Sequence, residues 1–326
     1  VIYTVIKPSE AKNKRISPRN DIFSDRRPSL YKALGYPTAK LPIMKILQAP
    51  VFPSEMSIQV SAIQTAPILG DPETNFAKVR PRLQFAGLLR SKLIVLPELF
   101  LTGCTLSTSQ AVKLAEEIPG SITQRLEEIT QLYNCHIVAT IIEKDAGELY
   151  ITAALVGPAG IVGKYRKTHL WNSDKLWAKP GDIEYPVFEV EFGNVGIMIG
   201  YDGFFPEVPR ILMLKGADII AWPCSWSSHI YPKYICTARA LENKVYIVAA
   251  NRAGEEDGEK FVGRSMIVDS LGRELARAKS TEEDYIQYRA VDLALARNKN
   301  IGPEVNVCIH GLADSHKILT STAIEG

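Results

Sequence analysis

The sequence is poor in the features that would tie a chain to a metal, a membrane or a polyanion. Cysteine is scarce: Cys104, Cys135, Cys224, Cys236 and Cys308 are the only five in 326 residues, and no two form a C-x-x-C pair. That is too few and too scattered for a disulfide framework, so a reduced, cytoplasmic setting is expected. The histidines (His136, His169, His229, His310, His316) include no H-x-x-x-H pair, and no second half-site accompanies His310 and His316 beside Cys308. Neither a metal nor another cofactor is therefore expected. No window approaches a run of about 18 apolar residues, which excludes a transmembrane helix. A net charge of +2 is too small to point to nucleic acid or an anionic membrane as partner. The chain opens at Val1 with no basic-then-apolar leader, so no signal peptide is expected.

What is present is an ordinary globular composition, 46% hydrophobic and 23% charged, in a chain long enough for one large α/β domain or two small ones. Ile58–Gln64 reads as a first strand. Phe76, Val79, Leu83 and Ala86 follow at helical spacing, with Pro81 as a kink. Leu93–Leu96 is a short buried-strand run ending at Pro97-Glu98. A helix is expected over Ser121–Tyr133, with Ile122, Leu126, Ile129 and Leu132 on one face. Strands are expected at His136–Ile142, Tyr150–Val156, Ile161–Tyr165, Val195–Ile199, Asp218–Trp222, Val245–Ala250 and Ser265–Asp269. Strands alternating with helices indicate mixed sheet with helices packed outside, but periodicity does not choose between one sheet and two.

The two ends carry a repeat. Val1–Pro18 aligns without a gap to Ile286–Pro303, with identities at Tyr3/Tyr288, Ala11/Ala296, Asn13/Asn298, Lys14/Lys299, Ile16/Ile301 and Pro18/Pro303. Chance composition would give about one identity over such a span, so the match is read as an internal repeat. The copies then diverge, and a stretch with Pro37, Pro42, Pro50 and Pro53 follows the first as an extended connector.

Three segments place a polar residue at the end of an apolar strand: SKLIVLPELF with Glu98, GKYRKTHLW with Lys167, and GNVGIMIGYDGFFPE, which runs through Gly200-Tyr201-Asp202 toward a helix start near Pro206. Strand ends are where α/β folds bind ligands, and a strand-to-helix elbow is where a nucleophile is presented. In order and spacing, LPELFLTG, KYRKTHLW and GIMI-x-YDGFFPE resemble the three catalytic motifs of the nitrilase superfamily, which carry Glu, Lys and Cys. The resemblance extends over ALENKVYIVAANRAG and FVGRSMIVDSLGRELA, and covers roughly Ser57 to Ala296.

That resemblance implies a nitrilase-like α-β-β-α sandwich and a C–N hydrolase in which a thiolate attacks an amide or nitrile carbon. Glu98 would be its general base, and Lys167 with the backbone N–H of Tyr201 would hold the oxyanion; losing one such donor typically costs ~2.7–4 kcal/mol of barrier. The family's cysteine position is occupied by Gly200. Glycine has no thiol, so covalent hydrolysis is not expected of the chain as written, although glycine tolerates the backbone an elbow needs. Cys224, at the end of another strand, is not expected to substitute, because attack requires the thiol within ~3–3.5 Å and in line. Asp174 stands nearest to a second family Glu and is one methylene shorter. Cys104 stands where an aromatic residue often occurs in relatives.

Trp226 is a pocket candidate. His169 is read as structural, and Phe204, Phe205 and Trp222 as core. Asp202 and Glu207 either line the site or cap the next helix. The expected substrate-binding set is Tyr201, Asp174 and Trp226. Specificity is expected from the loops Cys104–Leu114, Asn172–Lys179 and Ser225–Tyr234.

By the same resemblance, NDIFSDRRPSLY looks like the tail with which such hydrolases end. The expected organisation is a tail segment at 1–36, a Pro-rich linker at 37–56, the hydrolase domain at 57–295 and a diverged tail at 296–326. A tandem origin is preferred over a permutation. The expected substrate is a linear amide or N-carbamoyl compound, and a homo-oligomer or tandem pseudo-dimer is the expected assembly. The alternative is a non-catalytic domain that binds a ligand or scaffolds an active partner.

Overall fold

The computed structural model describes residues 57–182, 185–227, 231–279 and 285–308. The first copy of the terminal repeat, the proline-rich stretch, the NDIFSDRRPSLY string and the tail after Cys308 lie outside the described residues.

In chain order the first half contains β1 (Ser57–Gln64), α1 (Pro72–Leu88), β2 (Ser91–Val95), α2 (Thr108–Leu114), α3 (Ser121–Tyr133), β3 (His136–Asp145), β4 (Glu148–Gly157) and β5 (Gly160–Arg166). The second contains β6 (Val187–Val190), β7 (Gly193–Ile197), α4 (Glu207–Leu214), β8 (Ile219–Cys224), α5 (Tyr231–Asn243), β9 (Tyr246–Asn251), β12 (Met266–Val268) and β13 (Glu274–Arg277), with a hairpin of β10 (Ala253–Glu256) and β11 (Glu259–Val262) after β9. Then β14 (Tyr285–Asp292) returns to the first half, followed by α6 (Leu293–Arg297), β15 (Asn300–Gly302) and β16 (Val305–Asn306).

The strands form two six-stranded sheets, ordered β14-β1-β2-β3-β4-β5 and β13-β12-β9-β8-β7-β6. Packing on both faces of the strands shows how the two are arranged. Side chains alternate between faces along a strand, and here both faces are apolar. Val60, Ala62, Leu93, Val95 and Val138 join Val195, Ile197, Ile219, Ala221, Val248 and Ala250 in one shared core. The intervening Ile63, Ile94, Ile137 and Ala139 pack with Phe76, Val79, Leu83, Leu126 and Ile129 of α1 and α3. On the other sheet Ile220, Trp222, Ile247 and Ala249 pack with Val208, Leu212, Cys236 and Ala240 of α4 and α5. The layers therefore run helix, sheet, sheet, helix, as the α-β-β-α expectation held.

Local chemistry accounts for the helix positions. Asp71 caps α1 by accepting the Thr74 N–H at 3.1 Å, and Pro72 opens the helix where its missing N–H has no partner to lose. The helix continues through Pro81 to Leu88. Helix α3 has the expected bounds, but its face needs correcting: Leu132 is 71% exposed. At 100° per residue Leu132 falls well off the stripe of Ile122, Leu126 and Ile129, and Tyr133 takes the inward position. A Cβ on Gly87 of α1 would overlap the Tyr133 ring, so a glycine allows the two helices to approach.

Several elements differ from the sequence expectation. The short strands β6, β10, β11 and β13 have too few residues for a period to register. The second copy of the terminal repeat is built into the fold: its strand β14 pairs antiparallel along the whole of β1. Leu293 and Ala296 of α6 are buried in the inner core, and Arg297 pairs with Asp218 at 2.9 Å.

Candidate active site

Glu98, Lys167 and Gly200 leave three different strands and meet in one pocket. Glu98 lies three residues beyond β2, where its N–H donates to the Cys224 carbonyl at 3.2 Å. The chain turns immediately after it, with Leu99 at φ +48° and its N–H on Thr140 Oγ1 at 2.7 Å. Lys167 follows β5 directly and is anchored by its N–H to the Ile151 carbonyl at 2.8 Å. The preceding Arg166 is gripped by Glu143 through Nε at 2.8 Å and Nη2 at 3.0 Å, and Lys164 pairs with the same carboxylate. This network pins the end of β5 and hence the origin of the lysine.

The charges at the site are almost fully enclosed, with Glu98 and Lys167 each 2% exposed. Lys167 Nζ donates to Glu98 Oε1 at 2.6 Å and to Asp174 Oδ2 at 2.6 Å. Ser225 Oγ donates to the other Glu98 oxygen at 2.7 Å. Burial pushes the Glu98 carboxyl above the ordinary carboxylate range, against the pull of the Lys167 ammonium. Burial alone would lower the Lys167 pKa, but the Glu98 and Asp174 carboxylates outweigh it and hold the ammonium firmly charged.

Gly200 follows β7 and opens a 3-10 turn over Gly200–Phe204. Its φ is +46°, in the left-handed region that favours glycine. A Cβ built on it would overlap Glu98 Oε2, so the carboxylate occupies the space a side chain at 200 would enter. The Gly200 carbonyl accepts the Trp222 Nε1–H at 3.0 Å, which ties the elbow to β8.

The remaining sequence candidates divide. Tyr201 and Trp226 line the pocket. Asp174 does not: it stands behind Lys167 and also accepts the Trp171 N–H at 3.0 Å. Asp202 does not line the pocket and does not cap α4; its carboxylate instead takes the Ile199 N–H at the start of the Gly200–Phe204 turn. It is fully buried and accepts from Tyr165 Oη at 2.8 Å, Thr168 Oγ1 at 3.1 Å, His169 N at 2.9 Å and Ile199 N at 2.9 Å. Glu207 sits in the first turn of α4, which has no side-chain cap. His169 stacks on Phe205 at 3.8 Å and touches Asp202, a structural placement. Trp222 is core, and Phe204 packs partly against the same core while also lining the pocket. A half-buried aromatic on a 3-10 turn has one side available to each environment.

Cys224 is fully buried, its thiol directed to the Trp222 carbonyl at 3.1 Å and held neutral by burial. Burial likewise pushes the Cys104 thiol up to about 12. Cys104 N–H donates to Glu256, whose carboxylate is held by Arg252 at 2.6 Å. Trp171, at the end of the KYRKTHLW motif, and Ser225 and Ser227, in the loop expected to set specificity, also line the pocket, though none was named as a site residue. Ser225 was findable in principle, being the first residue after β8 and thus at a strand end.

Comparison with known proteins agrees with this architecture. The family model described as carbon-nitrogen hydrolase matches residues 59–300. This chain belongs to the carbon–nitrogen hydrolase family. It is 42% identical over 246 residues to a nitrilase from Pyrococcus abyssi, spanning 75% of this chain and 93% of that protein. It is 29% identical over 254 residues to an omega-amidase from Homo sapiens, spanning 73% and 87%. The structure superposes on a carbon-nitrogen hydrolase from Helicobacter pylori with a TM-score of 0.68 and 26% identity, covering 74% of this chain and 91% of the other. A nitrilase-type, amidase-like C–N hydrolase fold thus carries the pocket. Among the described residues, no helix is long and apolar enough to cross a membrane.

Proposed function

We propose that this chain is an amidase-type hydrolase of linear amide or N-carbamoyl substrates whose covalent step is silenced at Gly200. The observation that carries the reading is the contact between Glu98 and the empty side-chain position of residue 200: a carboxylate oxygen lies where a nucleophile's Cβ would stand, with Lys167 on the other oxygen. With a thiol at that position, Glu98 takes its proton and the thiolate attacks the amide carbon. Lys167, with the Tyr201 N–H, stabilises the oxyanion. Ammonia leaves with a proton returned from Glu98, and Glu98 then activates the water that hydrolyses the thioester. The raised pKa of Glu98 suits a group that must accept a proton and later return it.

Without the thiol no thioester forms. Cys224 does not replace it, since its sulfur is buried on the Trp222 carbonyl. The same pocket would still bind ligand, which is the alternative role of a non-catalytic domain.

The test is to introduce Gly200→Cys and measure ammonia release from a panel of amides and N-carbamoyl compounds. Turnover that appears with the thiol, disappears again on adding Glu98→Gln, and is accompanied by an acyl adduct in the mass spectrum supports the reading. Silence across the panel in a folded variant leaves the ligand-binding role.

A further inference from the structure

The hairpin β10–β11 belongs to neither six-stranded sheet, and its buried side chains show what it delivers. Glu256 and Phe261 flank Arg252, which follows β9 and is fully buried. Arg252 Nη1 donates to Glu256 Oε2 at 2.6 Å, and the guanidinium lies 3.8 Å over the Phe261 ring. Taken alone, this is a core ion pair whose charges satisfy each other. The other partners of the carboxylate give it a second role.

Glu256 Oε1 accepts the N–H groups of Cys104 and Thr105, each at 2.6 Å, and the Thr105 hydroxyl at 3.0 Å. Those two residues end the turn that begins at Glu98. Inside the turn, Thr102 and Gly103 donate to the Leu99 carbonyl at 3.1 and 3.0 Å, and the Cys104 thiol faces the Glu98 carbonyl at 3.9 Å. Leu99 at φ +48° and Gly103 at φ +81° are both left-handed. For leucine that conformation is strained, and it persists only where the surroundings over-determine it. A Cβ on Gly103 would overlap Glu256 Oε2, so the glycine is what lets the carboxylate reach the turn. At the other end, the Glu98 N–H and the Arg252 N–H donate to the same Cys224 carbonyl, each at 3.2 Å. The base and the arginine are therefore fastened to one strand end, and Glu256 closes the circuit between them.

We propose that Arg252 and Glu256 are positioning residues for Glu98: their ion pair clamps the far end of the strained turn that carries the base, and so fixes its carboxylate beside residue 200. The inference rests on the proposed function for its kinetic readout. Its local readout is independent of that function.

The local readout is amide hydrogen exchange in the unsubstituted protein and in Glu256→Gln, which keeps the shape but withdraws the charge from the Cys104 and Thr105 N–H groups. Protection of the Leu99, Thr102 and Gly103 amides is expected to fall about 10-fold or more, and that of β3 and β4 by less than about 2-fold. Should Glu256→Gln not fold, the pair Arg252→Met and Glu256→Leu removes both charges together and is expected to give the same local loss. The kinetic readout uses Gly200→Cys and p-nitrophenyl acetate, with the burst amplitude above that of the unsubstituted protein counting reactive thiols and the burst rate reporting acylation. Adding Glu256→Gln is expected to slow the rate per reactive thiol about 10-fold, a figure that loss of folded protein does not move. Glu255→Gln, on the exposed face of the same strand, is expected to change neither readout. Unchanged protection in the turn, or a loss spread evenly over β3 and β4, overturns the proposal. Should Gly200→Cys give no burst while Glu256→Gln loosens the turn, the hydrolytic reading fails and the clamp stands. Should the burst keep its rate with Glu256→Gln, the hydrolytic reading stands and this inference falls.

Discussion

The two sheets are built on one plan. From β14 to β5 the neighbouring strands of the first pair antiparallel, parallel, parallel, antiparallel, antiparallel. From β6 to β13 the second repeats that series. Yet the halves contribute different chemistry. The first supplies the buried charges Glu98 and Lys167 after β2 and β5. The second supplies backbone and surface: the left-handed Gly200 after β7, and Ser225 and Trp226 after β8. The charged half is held by its own ion pairs, whereas the elbow half is held by backbone conformation and aromatic packing. A substitution at residue 200 therefore leaves in place the ion pairs that hold Glu98 and Lys167.

The largest blow to that division should come from the charged half. Lys167→Met leaves Glu98 and Asp174 buried without their cation and is expected to cost about 3–5 kcal/mol in denaturant unfolding. The cost should be greater at neutral than at acid pH. The folded pKa of Glu98 already lies above its unfolded value, so its contribution is present at low pH and is lost as pH rises and the carboxyl must ionise in the buried site.

A smaller loss is expected where the halves join. Asp202 accepts from Tyr165, Thr168 and His169 of one half and from Ile199 of the other. Asp202→Asn preserves the shape but turns one acceptor into a donor facing donors, for about 1–3 kcal/mol. Gly200→Ala tests the elbow half alone. The left-handed backbone should cost about 1–2 kcal/mol, with Glu98 shifting to admit the methyl. A loss as large as that of Lys167→Met would show that the two halves do not hold the site separately.

A separate effect, outside the pocket, is a change in pH dependence. Lys299 donates to the carbonyls of Asn243 at 3.3 Å and Lys244 at 2.8 Å, and burial lowers its pKa from 10.5 to about 8. Between those values the unfolded chain binds the proton more tightly, so this lysine makes stability rise with pH and fall again as pH drops through about 8. Subtracting the unfolding curve of Lys299→Met from that of the unsubstituted protein should isolate this rise. A flat difference would mean that Lys299 is solvated in the folded state.

Much of this was legible in the chain. The long strands β3 and β4 announce themselves as apolar runs between turn residues, and helix α3 through its period. The polar residues Glu98 and Lys167 and the glycine at 200 stood out at strand ends, within motifs whose order carried the family. Leu132 was misplaced, because it is apolar but points away from its helix's stripe, while Phe204 packs against the core and faces the pocket as well. Trp171 closed a quoted motif, and Ser225 and Ser227 lay in a loop expected to set specificity, but nothing local told which side chains of those segments face the pocket, since its wall is assembled from short turns on separate strands.

The sequence by itself determined the two-sided apolar strands, the amphipathic helices and the identity of residue 200, since each depends on local pattern or on a single side chain. Only the tertiary structure decided that those strands divide into two facing sheets, that Asp174 stands behind Lys167 rather than in the pocket, and that the Glu98 carboxylate fills the space beside Gly200. Those outcomes depend on contacts between residues tens of positions apart, whose distances and burial follow from how the sheets pack.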